Sequence, residues 1–207
     1  MEAFIIYGLT AKLVRAYIRK VNDYMNLINA FGLLNIINED LDDYQEEYKN
    51  YIIEHKANVK KFADWLKTNC PEVFEGVNIN AFDLQIEEHD ESKFSEEEFE
   101  PYARFWYNDK DHYDYDPEYE AAWDHHWMNN EHHPEYWNCD DMPLLYILEM
   151  LCDWGSFSIK AGDLHELSNY YYEEAKDDEE KNLSDATKEI IEEILTKISS
   201  VLDKEDD

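Results

Sequence analysis

Glycine and proline are scarce, with five of each in 207 residues. An all-β chain needs many tight turns, and those turns draw on Gly and Pro, so their scarcity argues against one. Cysteine is scarce as well. Cys70, Cys139 and Cys152 are odd in number and form no C-x-x-C pair, which predicts buried, reduced thiols in a cytoplasmic protein rather than a disulfide framework. Positive charge is short: 18 Lys and Arg stand against 50 Asp and Glu, a formal net charge of −32. Duplex nucleic acid and anionic lipid are both gripped through Lys and Arg, so neither duplex nor membrane is an expected partner. The apolar start MEAFIIYGLTAKLVRAYIRK is broken by Lys12, Arg15 and Arg19, too early for a membrane span, and it has no clear small-residue cleavage site. A Gly-rich phosphate loop, G-x-S-x-G and H-E-x-x-H are missing too, which removes the chemistries those motifs carry.

What the chain does have is helical periodicity, aromatic residues at 15% and eight histidines. Residues 1–41 read as an N-terminal helical extension. Leu13, Tyr17, Val21, Tyr24, Leu27, Ile28 and Phe31 fall at helical spacing there, and the stretch offers a face for packing or for a homodimer. From Asp42 the pattern is helical almost throughout, and residues 42–176 read as one domain. Tyr48, Ile52, His55, Val59, Phe62 and Leu66 form one stripe, which Pro71 and Gly76 end. A second helix is expected from about Asn80, with Phe82, Ile86, His89 and Lys93 on one face. Ser95 with Glu98 has the form of a capping box and predicts a new helix start. Asn108–Pro117 reads as a loop. Further helices are expected over about Pro117–Asn129, from Pro143 to about Ile159, and from Asp163 to about Ala175. Residues 177–207 read as an acidic linker and a last amphipathic helix packed on the domain.

Candidate chemistry lies in five places: His55, the pair His89-Asp90, Lys93, the histidines around 126–133, and Asp153. Imidazole with carboxylate suits a divalent transition metal. A buried carboxylate with no partner is costly, and a cation offsets that cost. His55 interrupts an apolar stripe, and Asp153 sits at the edge of an apolar face. On an unbroken helix His126 and His133 lie two turns and about 10 Å apart, too far for one ion. A break near Asn130 brings His132 or His133 back toward His126. His125 is expected to face outward or to support the others, and His112 and His165 to stay outside the cluster. Lys93 reaches the same pocket as His89, or else forms a surface ion pair with an acid such as Glu97. Trp106, Tyr107, Trp123, Trp127, Tyr136 and Trp137 read mainly as core packing, with a ring-stacking pocket as the other reading.

The order His55, His89-Asp90, paired histidines, Asp153 resembles the HD-domain superfamily of metal-dependent phosphohydrolases. The run His89-Asp90-Glu91-Ser92-Lys93 is similar to the HD-x-G-K run of its HD-GYP branch, with Ser92 in place of Gly; the GYP signature itself is absent. More closely, HDESKFSEEEFEPY, then His126–Trp137, then EMLCDW (149–154), resemble an uncharacterised family of bacterial and phage proteins known only as a domain of unknown function, over about residues 42–175. The resemblance implies an all-α, HD-domain-like helical bundle. It implies a first metal on His55, His89, Asp90 and Asp153, and Asp90 bridging to a second on His126, His132 and His133. One or two divalent ions (Mn, Fe, Co, Ni or Mg) would serve a hydrolase that attacks a nucleotide or other small phosphate ester with a metal-activated water. Lys93 would contact the phosphate or that water. Two other readings compete: an HD-type di-iron oxygenase, and a non-catalytic acidic decoy for a basic partner.

Overall fold

The computed structural model describes residues 41–108 and 116–205. The expected extension, with its dimer helix, therefore lies outside the described residues but for Leu41, as does most of the Asn108–Pro117 loop. The described chain is all-α. Eight α-helices are joined by two 3₁₀ turns and one π turn, with no strand among the described residues. Residues from Asp42 onward form one compact unit. No described helix is long and apolar enough to cross a membrane.

The core is built on two long helices. In α1 (Asp43–Asn69) the stripe Tyr48, Ile52, His55, Val59, Phe62 and Leu66 is buried. In α6 (Leu144–Ala161) Ile147, Leu148, Met150, Leu151, Cys152 and Trp154 are buried, and Gly162 at φ 78° ends the helix in the left-handed conformation that suits glycine. These two helices pack along each other. The approach is close because position 155 has no side chain: a Cβ on Gly155 would lie 2.6 Å from the Phe62 ring. That contact brings Asp153, two residues earlier on α6, beside His55 of α1. The last helix, α8 (Asp185–Glu205), closes the core with Ile191, Ile194, Leu195, Ile198 and Leu202. It follows the turn at 177–181, where Lys181 pairs with Asp178 at 2.8 Å.

Four expectations need correction. The helix expected to run on through His89 and Lys93 is α2 (Ile79–Glu88); it stops at His89, and a 3₁₀ turn covers Glu91–Phe94. The cause is Asp90, which takes the left-handed conformation at φ 58°, one of the few L-residues that does so at modest cost. The capping box at Ser95 does not form. Helix α3 (Phe99–Tyr107) starts after Glu98, whose carboxylate is turned inward on histidines instead. Cys139 is exposed, while Cys70 and Cys152 are the buried thiols.

Helix α4 (Pro117–Asn129) is capped by Asp116, whose side chain accepts the N–H groups of Glu118 and Tyr119. It ends at Asn130, which is extended. A short turn then leads into α5 (Pro134–Trp137). Helix α7 (Glu166–Tyr170) continues as the π turn Tyr171–Ala175, where one continuous helix was expected.

Candidate metal centre

Three separate elements converge on one point. His55 comes from α1, His89 and Asp90 from the turn after α2, and Asp153 from α6. The His55 Nε2 atom lies 3.2 Å from Asp90 Oδ2 and 3.0 Å from Asp153 Oδ1. The His89 Nε2 atom lies 3.4 Å from Asp90 Oδ2, 3.6 Å from Asp153 Oδ1 and 3.4 Å from His55 Nε2. Donor atoms that share an ion at about 2.1 Å sit about 3.0–3.4 Å from each other, so these separations suit a coordination shell. The backbone turn aims the pair. Lys56 Nζ donates to the His89 carbonyl at 2.6 Å and pairs with Glu91 at 2.6 Å, which fastens the turn to α1.

The second oxygen of Asp90 faces a different set. Donor atoms of Asp90, His126, His132 and His133 all lie within 4.8 Å of one another. Asp90 Oδ1 is 3.4 Å from His126 Nε2 and 3.7 Å from His132 Nε2. The break after Asn129 makes this possible. Asn130 Nδ2 donates to the His126 carbonyl at 2.7 Å and to Ser92 Oγ at 2.8 Å, so the chain folds back. The rings of His126 and His133, far apart on a straight helix, stand 4.7 Å apart between centroids.

Three of the outer ring nitrogens are occupied. His55 Nδ1 is 3.1 Å from Ser156 Oγ. His89 Nδ1 is 3.0 Å from Glu149 Oε1, and His126 Nδ1 is 2.9 Å from Glu98 Oε2. An Nδ1–H given to a carboxylate leaves the Nε2 lone pair pointing into the cluster, the arrangement metal-binding histidines adopt. His132 Nδ1 is 3.3 Å from the same Glu149 oxygen, but off the line of a hydrogen bond. Inside the cluster Asp90 Oδ1, His132 Nε2 and His133 Nε2 are buried with no hydrogen-bond partner. Buried polar atoms without partners are uncommon, and a cation between them would satisfy all three. The donor set therefore fits one or two divalent ions, and the identity of the ion does not follow from it.

Electrostatics separates the two sets. Burial works against a charged imidazole everywhere, yet at His89 Asp90, Asp153 and Glu149 outweigh it and raise the pKa to about 10. At His55 burial is likewise outweighed, by Asp153 and Asp90, and the pKa rises. At His132 burial wins, helped by His133 and His89, and the pKa falls to about 4. His126 falls for the same main reason. Burial raises the pKa of Asp90 and Asp153, but the facing histidines, with Lys93 at Asp90, hold both carboxyls well below the usual range.

Lys93 is not paired with Glu97: its Nζ sits 2.6 Å from Asp90 Oδ2. It faces a cavity of about 480 Å³ that also reaches Asp90, His126, His132, His133 and Asp153. The walls include Tyr51, Trp106, Tyr107, Tyr119, Trp123 and Phe157. Of the six aromatic residues read mainly as core, Trp106, Tyr107 and Trp123 line this cavity instead. Trp137 does pack against the core, and Tyr136 is exposed.

Residues 44–197 match a family of unknown function (DUF5662). The chain belongs to that family. The DUF5662 match runs from the first turn of α1 into α8 and so holds every residue of the cluster. No curated protein and no solved structure matches the chain.

Two residues of the cluster escaped the sequence reading. Glu98 and Glu149, 0% and 1% exposed, are lost among 50 acidic residues. Glu149 had one usable signal, an acid four residues before Asp153 within an apolar run. Glu98 had a misleading one, since its spacing from Ser95 fits a cap. His125, which was expected to face outward or support the others, lies 2.6 Å from Glu98 Oε1 through Nδ1 and supports the cluster through that carboxylate. His165 stands at the start of α7 without a side-chain cap and lies outside the metal-competent groups of the described residues. His112 is not among the described residues.

Proposed function

We propose that the chain is a metal-dependent phosphohydrolase of HD-domain-like architecture, acting in the cytoplasm on a small phosphate ester, a phosphomonoester or phosphodiester. The observation that carries this reading is Asp90. Its Oδ2 faces His55 and His89, its Oδ1 faces His126 and His132, and Lys93 approaches from the cavity side. One carboxylate between two imidazole sets is the arrangement of a two-ion site. Bound divalent cations supply an acidified water and offset the charge that builds on phosphoryl oxygens.

The side chains do the rest. Glu149, Glu98 and Ser156 hold the imidazole rings in orientation, so little reorganisation is needed when charge develops. Lys93 stays protonated, because Asp90 and Asp153 outweigh its burial and raise its pKa. Its ammonium therefore adds fixed positive charge where a phosphoryl group would enter. Aromatic walls keep water away from the organic part of the ester.

The test is a panel of phosphomonoesters and diesters offered to the full chain, stripped of metal and reloaded with Mn, Fe, Co, Ni or Mg in turn. Hydrolysis with at least one metal, read as phosphate released from a monoester or alcohol released from a diester and lost in the His89→Ala/Asp90→Ala double variant, is the expected result. Oxygen uptake by the iron-loaded chain with no hydrolysis of any monoester or diester would overturn it in favour of an oxygenase.

A further inference from the structure

The cavity over the cluster divides its chemistry sharply. Its charged and imidazole groups are gathered at the cluster, and the remaining wall is almost entirely ring. Two of those rings are unusually open: Trp106 is 56% exposed and Phe157 is 52% exposed. Large apolar side chains left open beside a polar site mark a binding surface. Both are also held in place. Trp106 meets Tyr119 edge-on at 5.8 Å between centroids, and Phe157 lies 5.7 Å from the His55 ring. A cavity of about 480 Å³ falls within the range for small-molecule sites, about 300–1,000 Å³.

The charge around the cavity argues against long anions. Lys93 is the sole Lys or Arg lining it among the described residues, and Asp90 already holds that ammonium at 2.6 Å. A second cavity adjoins the first through Tyr119, Trp123, His133, Asp153 and Phe157. Its further lining carries Glu120, Glu135, Asp163, Glu166 and Glu180 against Lys181 alone. Polyphosphates are normally held by several Lys or Arg groups with their metal ions, and this approach repels them.

We propose that the site selects phosphate esters with a single phosphoryl group and a flat aromatic ring, the ring gripped by Trp106 and Phe157. The proposal rests on the phosphohydrolase reading, because the cluster has to hold the phosphoryl end. Aromatic stacking on an open platform gains about five- to a hundredfold in affinity per ring. Trp106 and Phe157 are half open, so truncating them leaves the buried core intact.

Binding of phenylphosphonate, methylphosphonate and tripolyphosphate to the metal-loaded full chain tests this by calorimetry, at one buffered free-metal concentration. Phenylphosphonate is expected to bind about tenfold or more tighter than methylphosphonate, with tripolyphosphate no tighter than methylphosphonate. Trp106→Ala and Phe157→Ala should each shrink the phenyl-to-methyl ratio to about threefold or less, with metal content unchanged. Equal binding of the two phosphonates, or tightest binding of tripolyphosphate, would overturn the ring-bearing monophosphate and leave the phosphohydrolase reading standing. Failure of both phosphonates to bind the loaded chain would remove that reading and this proposal with it.

Discussion

Replacing Glu149 by Gln keeps the volume of a buried side chain and removes its charge. The carboxylate oxygen Oε1 lies 3.0 Å from His89 Nδ1, its hydrogen-bond partner, and 3.3 Å from His132 Nδ1 off the line of a hydrogen bond, so it orients the first ring and only lends its charge to the second. Loss of an outer partner of a metal-binding histidine weakens metal affinity about 10–100-fold, which is about 1.4–2.7 kcal/mol. Glu149→Gln should weaken the ion on His89 by that amount and the ion on His132 by less. Ser156→Ala should weaken one, because Ser156 touches His55 alone within the cluster. Glu98→Gln should weaken the other, through His126. Calorimetric titration of the metal-free full chain with Mn²⁺ or Co²⁺ resolves the two steps. A Glu149→Gln protein that loses affinity in neither step, or mainly in the step that Glu98→Gln weakens, would refute the role assigned to this carboxylate.

Three further outcomes follow from the same geometry. Gly155→Ala places a Cβ 2.6 Å from the Phe62 ring; overpacking costs about 1–3 kcal/mol, so Tm should fall in thermal melts and metal affinity should fall with it as Asp153 is pushed from His55, whereas an unchanged Tm would show the contact is soft. Stability of the metal-free chain should peak near pH 6.5. With His132 lowered from the ordinary 6.5 to about 4, the unfolded chain binds the extra proton between those two pH values, so stability rises with pH there. With His89 raised to about 10, the folded chain holds the extra proton above 6.5, so stability falls as pH climbs. Saturating metal should flatten the alkaline fall, and melts from pH 4 to 10 with and without metal check both signs. Lys93→Met should keep its metal content and lose about a hundredfold or more in kcat on any ester the chain hydrolyses; an unchanged kcat would confine Lys93 to a structural ion pair.

The long helices were legible because their apolar residues repeat at helical spacing. His55 stood out on α1 because it interrupts an apolar stripe that is otherwise buried. The turn at Asp90 was not legible, since no glycine marks it and most aspartates in a sequence do not take the left-handed conformation that this one does; Lys56 on the His89 carbonyl fastens the turn from a distant part of the chain. A break near Asn130 was one way to meet the histidine spacing, yet one of the two hydrogen bonds that Asn130 donates there goes to a residue 38 positions away, Ser92. Glu98 and Glu149 could not be told from the solvated acids around them, because burial of a carboxylate depends on partners distant in sequence: Glu149 meets His89 across 60 residues. The aromatic residues carry the same ambiguity. Rings that fill a core and rings that wall a cavity have one sequence pattern, and only the packing of α1, α3, α4 and α6 separates Trp106 from Trp137.

The central claim is that Asp90 joins two sets of imidazoles around cations. Its most direct test is the number of metal ions bound per chain, by elemental analysis after saturation and removal of free metal, for the native chain and for Asp90→Ala. About two ions per native chain are expected, with a clear loss in the variant and helical content unchanged by circular dichroism. A native chain that retains no metal, or an Asp90→Ala chain that retains the full number, would contradict it.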